Sequence, residues 1–473
     1  MQDKCGIVGV AFLDPKDPNN AALSIYYALY ALQHRGQESA GITIKGDQVR
    51  TYKGMGLVPE VFSKEILQKL TGNIGIGHVR YSTTGESKIE NAQPLAVNFK
   101  GKTLAIAHNG NLVNSEELRR KLENRGCIFL SDSDTEVIVH LLVKELVHGI
   151  NDIVTAVKET MKKLVGSYSL VILIEDILIA VRDPLGFKPL CFGKTKDGYV
   201  VASESVAIDT LEGELIRDVY PGEILVFHKG DIKSYQIWKT KNTAHCVFEY
   251  IYFARADSII DNKLVYDVRI KIGENLVLEN SDNADIVSPV PDSGITFAIG
   301  YSKKSGIPYL EGLMKNRYIG RTFIMPSDDM RKSALRLKMN VIKSNVYGKE
   351  IILIDDSIVR GTTSHKIIDL LRKASAKKIH MRIGSPPIIS PCYMGIDMAT
   401  RKELIAAHKT VEGVEALIKA DSLRYLSISG LVKSVGISEK NLCMACLTGV
   451  YPVEIQGEFC KKREIIENMI LVH

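Results

Sequence analysis

No charge of one sign dominates this chain: 61 Lys and Arg stand against 55 Asp and Glu over 473 residues, a net charge of +6. An excess so dilute excludes the basic surface that nucleic-acid binding requires. The start, Met1 to Lys4, lacks the apolar core of an export signal, and the most apolar later stretch, Ser167 to Val181, is broken by Glu175 and Asp176. That stretch reads as a hairpin, and no segment is expected to span a membrane. Tandem repeats and low-complexity tracts are missing as well. Eight cysteines in a chain this long, with no leader, do not suggest the disulfide frame of a small secreted domain. They are expected to be thiols or metal ligands in a reducing cytoplasm. The length exceeds what one hydrophobic core serves, which implies two or three domains.

What is present is clearest at residues 351–364. Ile351, Ile352, Leu353 and Ile354 suit a buried parallel strand, and Ile367, Ile368, Leu370 and Leu371 share one side of a following helix. Between them lie Asp355 and Asp356, then Ser357, Ile358, Val359, Arg360, Gly361, Thr362, Thr363 and Ser364. A loop at the carboxyl end of a strand is where open α/β sheets bind ligands. Gly361 permits close backbone approach. The hydroxyl and N–H groups of Thr362, Thr363 and Ser364 lie where the helix dipole is positive, which suits a phosphate. Two adjacent carboxylates suit ribose hydroxyls instead, or a Mg²⁺ held against them. An ordinary βα loop with a polar tip would share this outline, but the flanking strand and helix favour a ligand site. The segment resembles the phosphoribosyl-pyrophosphate (PRPP) motif of the type I phosphoribosyltransferases.

The two halves of the chain differ in pattern. Up to about Trp238 there are short strands with turn residues: Cys5 to Phe12, Gly75 to Arg80, Leu104 to Asn109 and the hairpin. One helix is expected over Asn20 to His34, closed by Gly36, and another from Ser133, where Ser133 and Glu136 have capping-box spacing. Beyond, strands and helices alternate at Asp285 to Pro289, Gly294 to Gly306, Glu350 to Ile354, Thr363 to Ala374 and Lys378 to Gly384, which predicts a parallel sheet. Between Lys315 and Lys338 an aperiodic segment carries Arg317, Arg321, Arg331, Lys332 and Arg336 against Asp328 and Asp329. Charge alone fits a loop folding over a polyanion and a solvated loop equally. After Asp421 the chain reads as helical and is expected to pack back on the body.

Cys5 opens an apolar strand, and removal of Met1 to Lys4 would make it the first residue. A terminal cysteine carries its own base, because a free α-amine titrates near ~7.7 to 8.0 and can take the thiol proton. Position alone fits a small buried hydrophobe equally well. Three further segments bear on the choice. Gly77, His78, Val79, Arg80, Tyr81, Ser82, Thr83 displays an arginine suited to a carboxylate. His108, Asn109, Gly110, Asn111, Leu112 offers a side-chain amide beside a flexible backbone N–H, as a tetrahedral oxyanion requires. Ser131, Asp132, Ser133, Asp134, Thr135, Glu136 sets acids at a helix start, where one can receive an ammonium group. Singly, these also read as a surface arginine, an Asn-Gly turn and helix caps. With Cys5, and with Leu32, Gln33, His34, Arg35, Gly36, Gln37, the set resembles the N-terminal-nucleophile glutamine amidotransferases.

A glutaminase half followed by a PRPP site resembles the amidophosphoribosyltransferase family over nearly the whole chain. The resemblance implies α+β and α/β architecture: an αββα N-terminal-nucleophile glutaminase domain, then a type I phosphoribosyltransferase domain with a parallel sheet. Expected bounds are a propeptide over 1–4, the glutaminase domain over 5–238, the phosphoribosyltransferase domain over 239–420 and a helical segment over 421–473. It further implies Cys5 as nucleophile, Asn109 and Gly110 at the oxyanion, and Arg80 and Asp134 on glutamine. PRPP would be held by Asp355, Asp356, Ser357, Arg360, Gly361, Thr362, Thr363, Ser364, Lys315, Arg321 and Lys349. Mg²⁺ would sit at Ser293, Asp355 and Asp356. The implied partners are glutamine, PRPP and purine nucleotides as feedback inhibitors, in a cytoplasmic homodimer or homotetramer, with ammonia passed internally. A PRPP-responsive regulator would have no use for the first half, and a sugar-phosphate amidase would lack residues 355–364.

Cys443 and Cys446 form a C-x-x-C pair, a spacing that suits Zn²⁺ or an iron–sulfur cluster. By resemblance to the iron–sulfur branch of the family, Cys246 and Cys392 complete a [4Fe-4S] site. Four thiolates suit zinc too. Cys127, Cys191 and Cys460 lack such context.

Overall fold

The computed structural model describes residues 5–13, 17–81, 87–147, 152–316, 339–396, 400–455, 459–460 and 469–471, the last two spans by their backbone. The first half forms two antiparallel sheets. Seven strands make one, in the order Glu214–Asp218, Cys191–Lys194, Gly198–Ala202, Gly6–Phe12, Ile74–Arg80, Ser39–Lys45 and Val49–Met55. Six make the other: Asp231–Gln236, Glu223–His228, Ile177–Arg182, Gly166–Ile174, Lys102–Leu112 and Leu95–Phe99. Ile7, Ile76 and Val201 of the first share a core with Ala105, Val171 and Leu178 of the second, so the sheets stack face to face. Helix Asn20–Ala31 covers one outer face through Ile25 and Leu29. Helices Ser115–Glu123, Asp134–Val147 and Ile153–Met161 cover the other. Side chains alternate between faces along each strand, so both sheets bury both sides and the layers run αββα.

Ser167 to Val181 folds as the expected hairpin, Gly166–Ile174 pairing with Ile177–Arg182. The first helix ends early, at Ala31, and a tighter turn at Gln33–Arg35 follows. Gln33 fixes that turn: its side chain donates to the Gly36 carbonyl and accepts from Val58 N at 2.7 Å. The capping box does not form. Glu136 accepts from Leu130 N and Ser131 N at 2.8 and 2.7 Å, because the preceding loop folds back over the helix start. Only the other half of the motif resembles expectation, Thr135 N donating to Ser133 Oγ at 3.2 Å.

The second half holds a four-stranded parallel sheet in the order Ile286–Pro289, Glu350–Asp355, Lys378–Ile383 and Ser422–Tyr425. Ile352 and Ile354 pack under helices Val265–Glu279 and Ile295–Ser305, while Ile351 and Leu353 meet Ile367, Ile368 and Leu371 of helix Thr362–Lys373. All four strand residues are fully buried, each contributing roughly 1.5–3 kcal/mol. The sheet runs past the expected boundary at 420, because Ser422–Tyr425 adds in parallel to Lys378–Ile383. Helix Ile428–Val435 then packs Leu431 and Val435 into the core against Val265–Glu279. The basic segment read between Lys315 and Lys338, with Arg317, Arg321, Arg331, Lys332 and Arg336, lies outside the described residues from 317 to 338. Among the described residues no helix is long and apolar enough to cross a membrane.

Candidate active sites

Gly6 lies opposite Val79 in the first sheet, which brings Cys5, one residue before the strand, to the Arg80 end of its neighbour. The thiol is buried at 9% exposure, and its Sγ donates to the Tyr81 carbonyl at 3.7 Å. Burial pushes the thiol up; Arg80 and Arg35 pull it down, and the Asp134 carboxylate adds to the rise. The net effect is upward, so these surroundings hold the proton on sulfur and a base is needed to remove it. Asp134, Arg80 and Cys5 therefore share one electrostatic neighbourhood.

The second sheet supplies the opposite wall. Asn109 is 1% exposed, and neither polar atom of its side chain has a partner among the described residues. A bare amide at that depth costs about 1–3 kcal/mol, which an arriving anionic oxygen would recover. Gly110 follows at φ +158°, and a Cβ there would stand 2.0 Å from the Ser167 carbonyl, so only glycine fits. Asp134 Oδ2 accepts from Leu112 N at 2.9 Å, and its Oδ1 is 3.6 Å from His108 Nδ1. Although burial works to raise its pKa, His108 and the Leu112 and Thr135 amides hold this carboxyl below its usual range. An anion is thus kept ready for a cation.

Sequence reading missed the frame that sets this wall. Gln93 accepts from His108 N at 2.8 Å and donates to Thr135 Oγ1 at 3.0 Å, while His108 Nδ1 is 3.1 Å from the same hydroxyl. His78 Nε2 reaches the His108 carbonyl at 3.1 Å and ties the two sheets together. Burial takes His78 down to about 3, so it stays neutral.

In the second half the strand Glu350–Asp355 ends at a cavity of about 430 Å³ lined by residues 355–364, Ser293, Tyr252 and Met339. Asp355 is pushed well above the carboxylate range by burial and by Asp356 beside it. Two carboxylates so placed call for a cation or hydroxyl donors. Asp356 Oδ1 already accepts from the Ser357 hydroxyl. Gly361, at φ +74°, turns the chain into helix Thr362–Lys373, so the free N–H groups of its first turn face the cavity end. Arg360 is exposed and paired to Glu403 at 2.5 Å, and Lys315 Nζ is 2.8 Å from Asp292. Arg321 falls outside the described residues. Lys349 corrects the sequence reading: it precedes Glu350 and so stands at the other end of the strand. Six residues at about 3.3 Å each put it roughly 20 Å from Asp355.

Cys246 pairs opposite Cys443 in a short parallel bridge, and Cys446 follows one turn on. Burial pushes Cys443 up to about 12, with Cys246 and Cys392 adding to the rise, and raises Cys446 with the other three contributing. The fully buried Lys188 opposes this at Cys443. Four thiols near one another and a buried cation form a donor set for a metal group that carries thiolate charge. Among the described residues no three His, Cys, Asp or Glu side chains are arranged to hold a single ion. A cluster spreads its thiolates over several irons and does not require that arrangement. For Mg²⁺, two carboxylates completed by substrate oxygens and water suffice.

A buried arginine links Cys5 to the second half. Arg35 donates from Nε to the Cys5 carbonyl at 3.2 Å, and its two terminal nitrogens meet Glu249 at 3.1 Å each. Glu249 opens the turn Glu249–Phe253, which contains Tyr252 of the cavity wall.

A family model for a glutamine amidotransferase domain matches residues 78–210. The amidophosphoribosyltransferase of Methanothermobacter thermautotrophicus is 56% identical over 97% of this chain and 96% of its own length. That of Archaeoglobus fulgidus is 53% identical over 97% and 100%. Among solved structures, the glutamine PRPP amidotransferase of Bacillus subtilis complexed with ADP and GMP superposes with a TM-score of 0.89. It is 43% identical, covering 96% of this chain and 99% of that one.

Proposed function

The chain belongs to the amidophosphoribosyltransferase family, whose reaction is the first step of purine biosynthesis, and we propose that its two sites divide that reaction between them. Glutamine, PRPP and water give 5-phosphoribosylamine, glutamate and pyrophosphate. Removal of Met1 to Lys4 frees the α-amine of Cys5. That amine takes the thiol proton, the step that burial otherwise opposes. Sulfur adds to the glutamine carboxamide carbon, with Asn109 and Gly110 N–H on the oxyanion, Arg80 on the substrate carboxylate and Asp134 on its ammonium. Once the amine returns the proton to nitrogen, ammonia leaves and a thioester remains. Water hydrolyses that thioester, releasing glutamate and the thiol.

At the second site ammonia forms a bond to ribose C1 as the bond to pyrophosphate breaks. Thr362, Thr363, Ser364 and the backbone at Gly361 hold the 5-phosphate; Asp355 and Asp356 hold the ribose hydroxyls. Ser357 and Arg360 line the site, and Lys315 is assigned to the pyrophosphate; Arg321, assigned there by resemblance, lies outside the described residues. Mg²⁺, held by Ser293, Asp355 and Asp356, would neutralise charge on the leaving group. Burial and Asp356 hold Asp355 above the carboxylate range, and a cation between the two carboxylates would let both ionise. Ammonia passes internally, where water cannot compete for the activated sugar.

Cys246, Cys392, Cys443 and Cys446 would carry a [4Fe-4S] cluster. Finding iron and sulfide in protein purified without oxygen would support it; finding stoichiometric zinc instead would reject it. The relative solved with ADP and GMP supports feedback by purine nucleotides. A cytoplasmic homodimer or homotetramer is proposed on the family resemblance alone.

The observation that carries this reading is that one chain holds both a buried thiol framed by Arg80 and Asp134 and a cavity around an acidic pair at a strand end. Cys5→Ala is expected to abolish glutamine use and leave ammonia-dependent synthesis intact. Loss of both activities in folded protein contradicts the division of labour.

A further inference from the structure

The strand that carries Asn109 and Gly110 is paired on one side only where it matters. Lys102–Leu112 pairs with Gly166–Ile174 through Leu112, but its pairing with Leu95–Phe99 stops at Ile106. Residues 107–112 therefore have a single strand neighbour, and although Gln93 and His78 hold His108 and Asp134 holds Leu112, something further must hold Gly110 and Asn111 between those points. The segment 389–396 from the second half does so. Its Tyr393 carbonyl accepts from Asn111 Nδ2 at 2.9 Å, and its Met394 carbonyl accepts from Ser167 Oγ at 2.9 Å. The same Ser167 Oγ accepts from Asn111 N at 3.2 Å, so one hydroxyl clamps both strands to the loop. Gly395, at φ +81°, comes so close that a Cβ would stand 2.9 Å from the Gly110 carbonyl carbon and oxygen and 3.3 Å from Asn111 N.

The other end of this segment is tied to the thiols. Met394 N donates to Cys392 Sγ at 3.3 Å, and Ile389 N and Ser390 N donate to the Cys446 carbonyl at 2.9 and 3.1 Å. Tyr451 Oη adds a bond of 2.7 Å to the Pro391 carbonyl.

We propose that residues 389–396 form a strut that sets the oxyanion site from the cysteine site, making Asn111, Ser167 and Gly395 positioning residues of the glutaminase reaction. The proposal rests on reading Asn109 and Gly110 as the oxyanion donors. Such donors act through alignment with the charge that develops, so a displacement approaching 1 Å costs rate far more than substrate binding.

In the full-length holoenzyme, Gly395→Ala presses a methyl against the Gly110 backbone. Its glutamine kcat is expected to fall about 10- to 100-fold with KM changed less than about threefold. Ammonia-dependent synthesis and iron content per chain stay at the parent level, because neither the PRPP cavity nor the thiols are touched. Ser167→Ala, which removes only a hydroxyl, shows the same split if Gly395→Ala fails to fold, and Ser167→Thr restores kcat. Glutamine kcat within about twofold of the parent in Ser167→Ala, or equal loss of glutamine- and ammonia-dependent activity, overturns the strut. A parent enzyme inert with both nitrogen donors would instead sink the functional reading itself.

Discussion

Cys5 sits at a strand end where burial raises its thiol more than Arg80 and Arg35 lower it, so the sulfur keeps its proton until a base arrives. Among the described residues the only hydrogen-bond partner of Sγ is a carbonyl, which cannot accept that role. Glutamate release from glutamine should therefore rise as pH passes through the α-amine range, about 7.7–8.0. Protein that keeps Met1 to Lys4 by mass should release none. Full turnover by the unprocessed chain contradicts this. At this scale the sequence disclosed residues whose neighbours in the chain share their task, such as Asp355, Asp356 and the hydroxyls after Gly361. It did not disclose the frame of Gln93, His108 and Thr135, whose members meet across 42 residues. Lys349 failed for the converse reason: adjacency to a strand says nothing of which end it occupies.

The strand, loop and helix around residue 361 behave as one element. Gly361 holds φ +74°, a conformation that costs other residues about 1–2 kcal/mol, and its backbone opens the first helical turn to the cavity. Gly361→Ala should raise KM for PRPP about tenfold in both glutamine- and ammonia-driven assays, since 1.4 kcal/mol is tenfold. An unchanged PRPP KM would place the phosphate elsewhere. Long apolar patterns made such elements legible: the hairpin across Glu175 and Asp176 and the run Ile351 to Ile354 fold as read. Ser422–Tyr425 was hidden because its four residues carry one fully buried apolar side chain, Leu423, and gain strand structure from pairing with Lys378–Ile383. The capping box failed because Glu136 had closer N–H groups to satisfy in the loop behind it.

In the whole molecule, Arg35 meets Glu204 of the first half and Glu249 of the second, all three almost fully buried. Burial lowers the pKa of the guanidinium, but Glu249 and Glu204 more than reverse this, so it remains charged at any working pH. Arg35→Met removes a buried cation shared by two buried carboxylates and should destabilise the protein by about 3–5 kcal/mol, read as a lower urea midpoint. A midpoint equal to the parent's would mean that the carboxylates find other partners. No pattern in the sequence marks this junction, because the arginine and Glu249 lie 214 residues apart. The two-site organisation was nevertheless legible, since each site announced itself in a local motif.

The central claim is that nitrogen released at Cys5 is consumed at the sugar held by residues 355–364. Its most direct measurement follows glutamate and pyrophosphate together, with glutamine, PRPP and Mg²⁺ supplied to the processed enzyme. Equal yields of the two, with ¹⁵N from the glutamine amide reaching the product undiluted by added unlabelled ammonium, are expected. Glutamate formed steadily while PRPP releases no pyrophosphate would contradict the account.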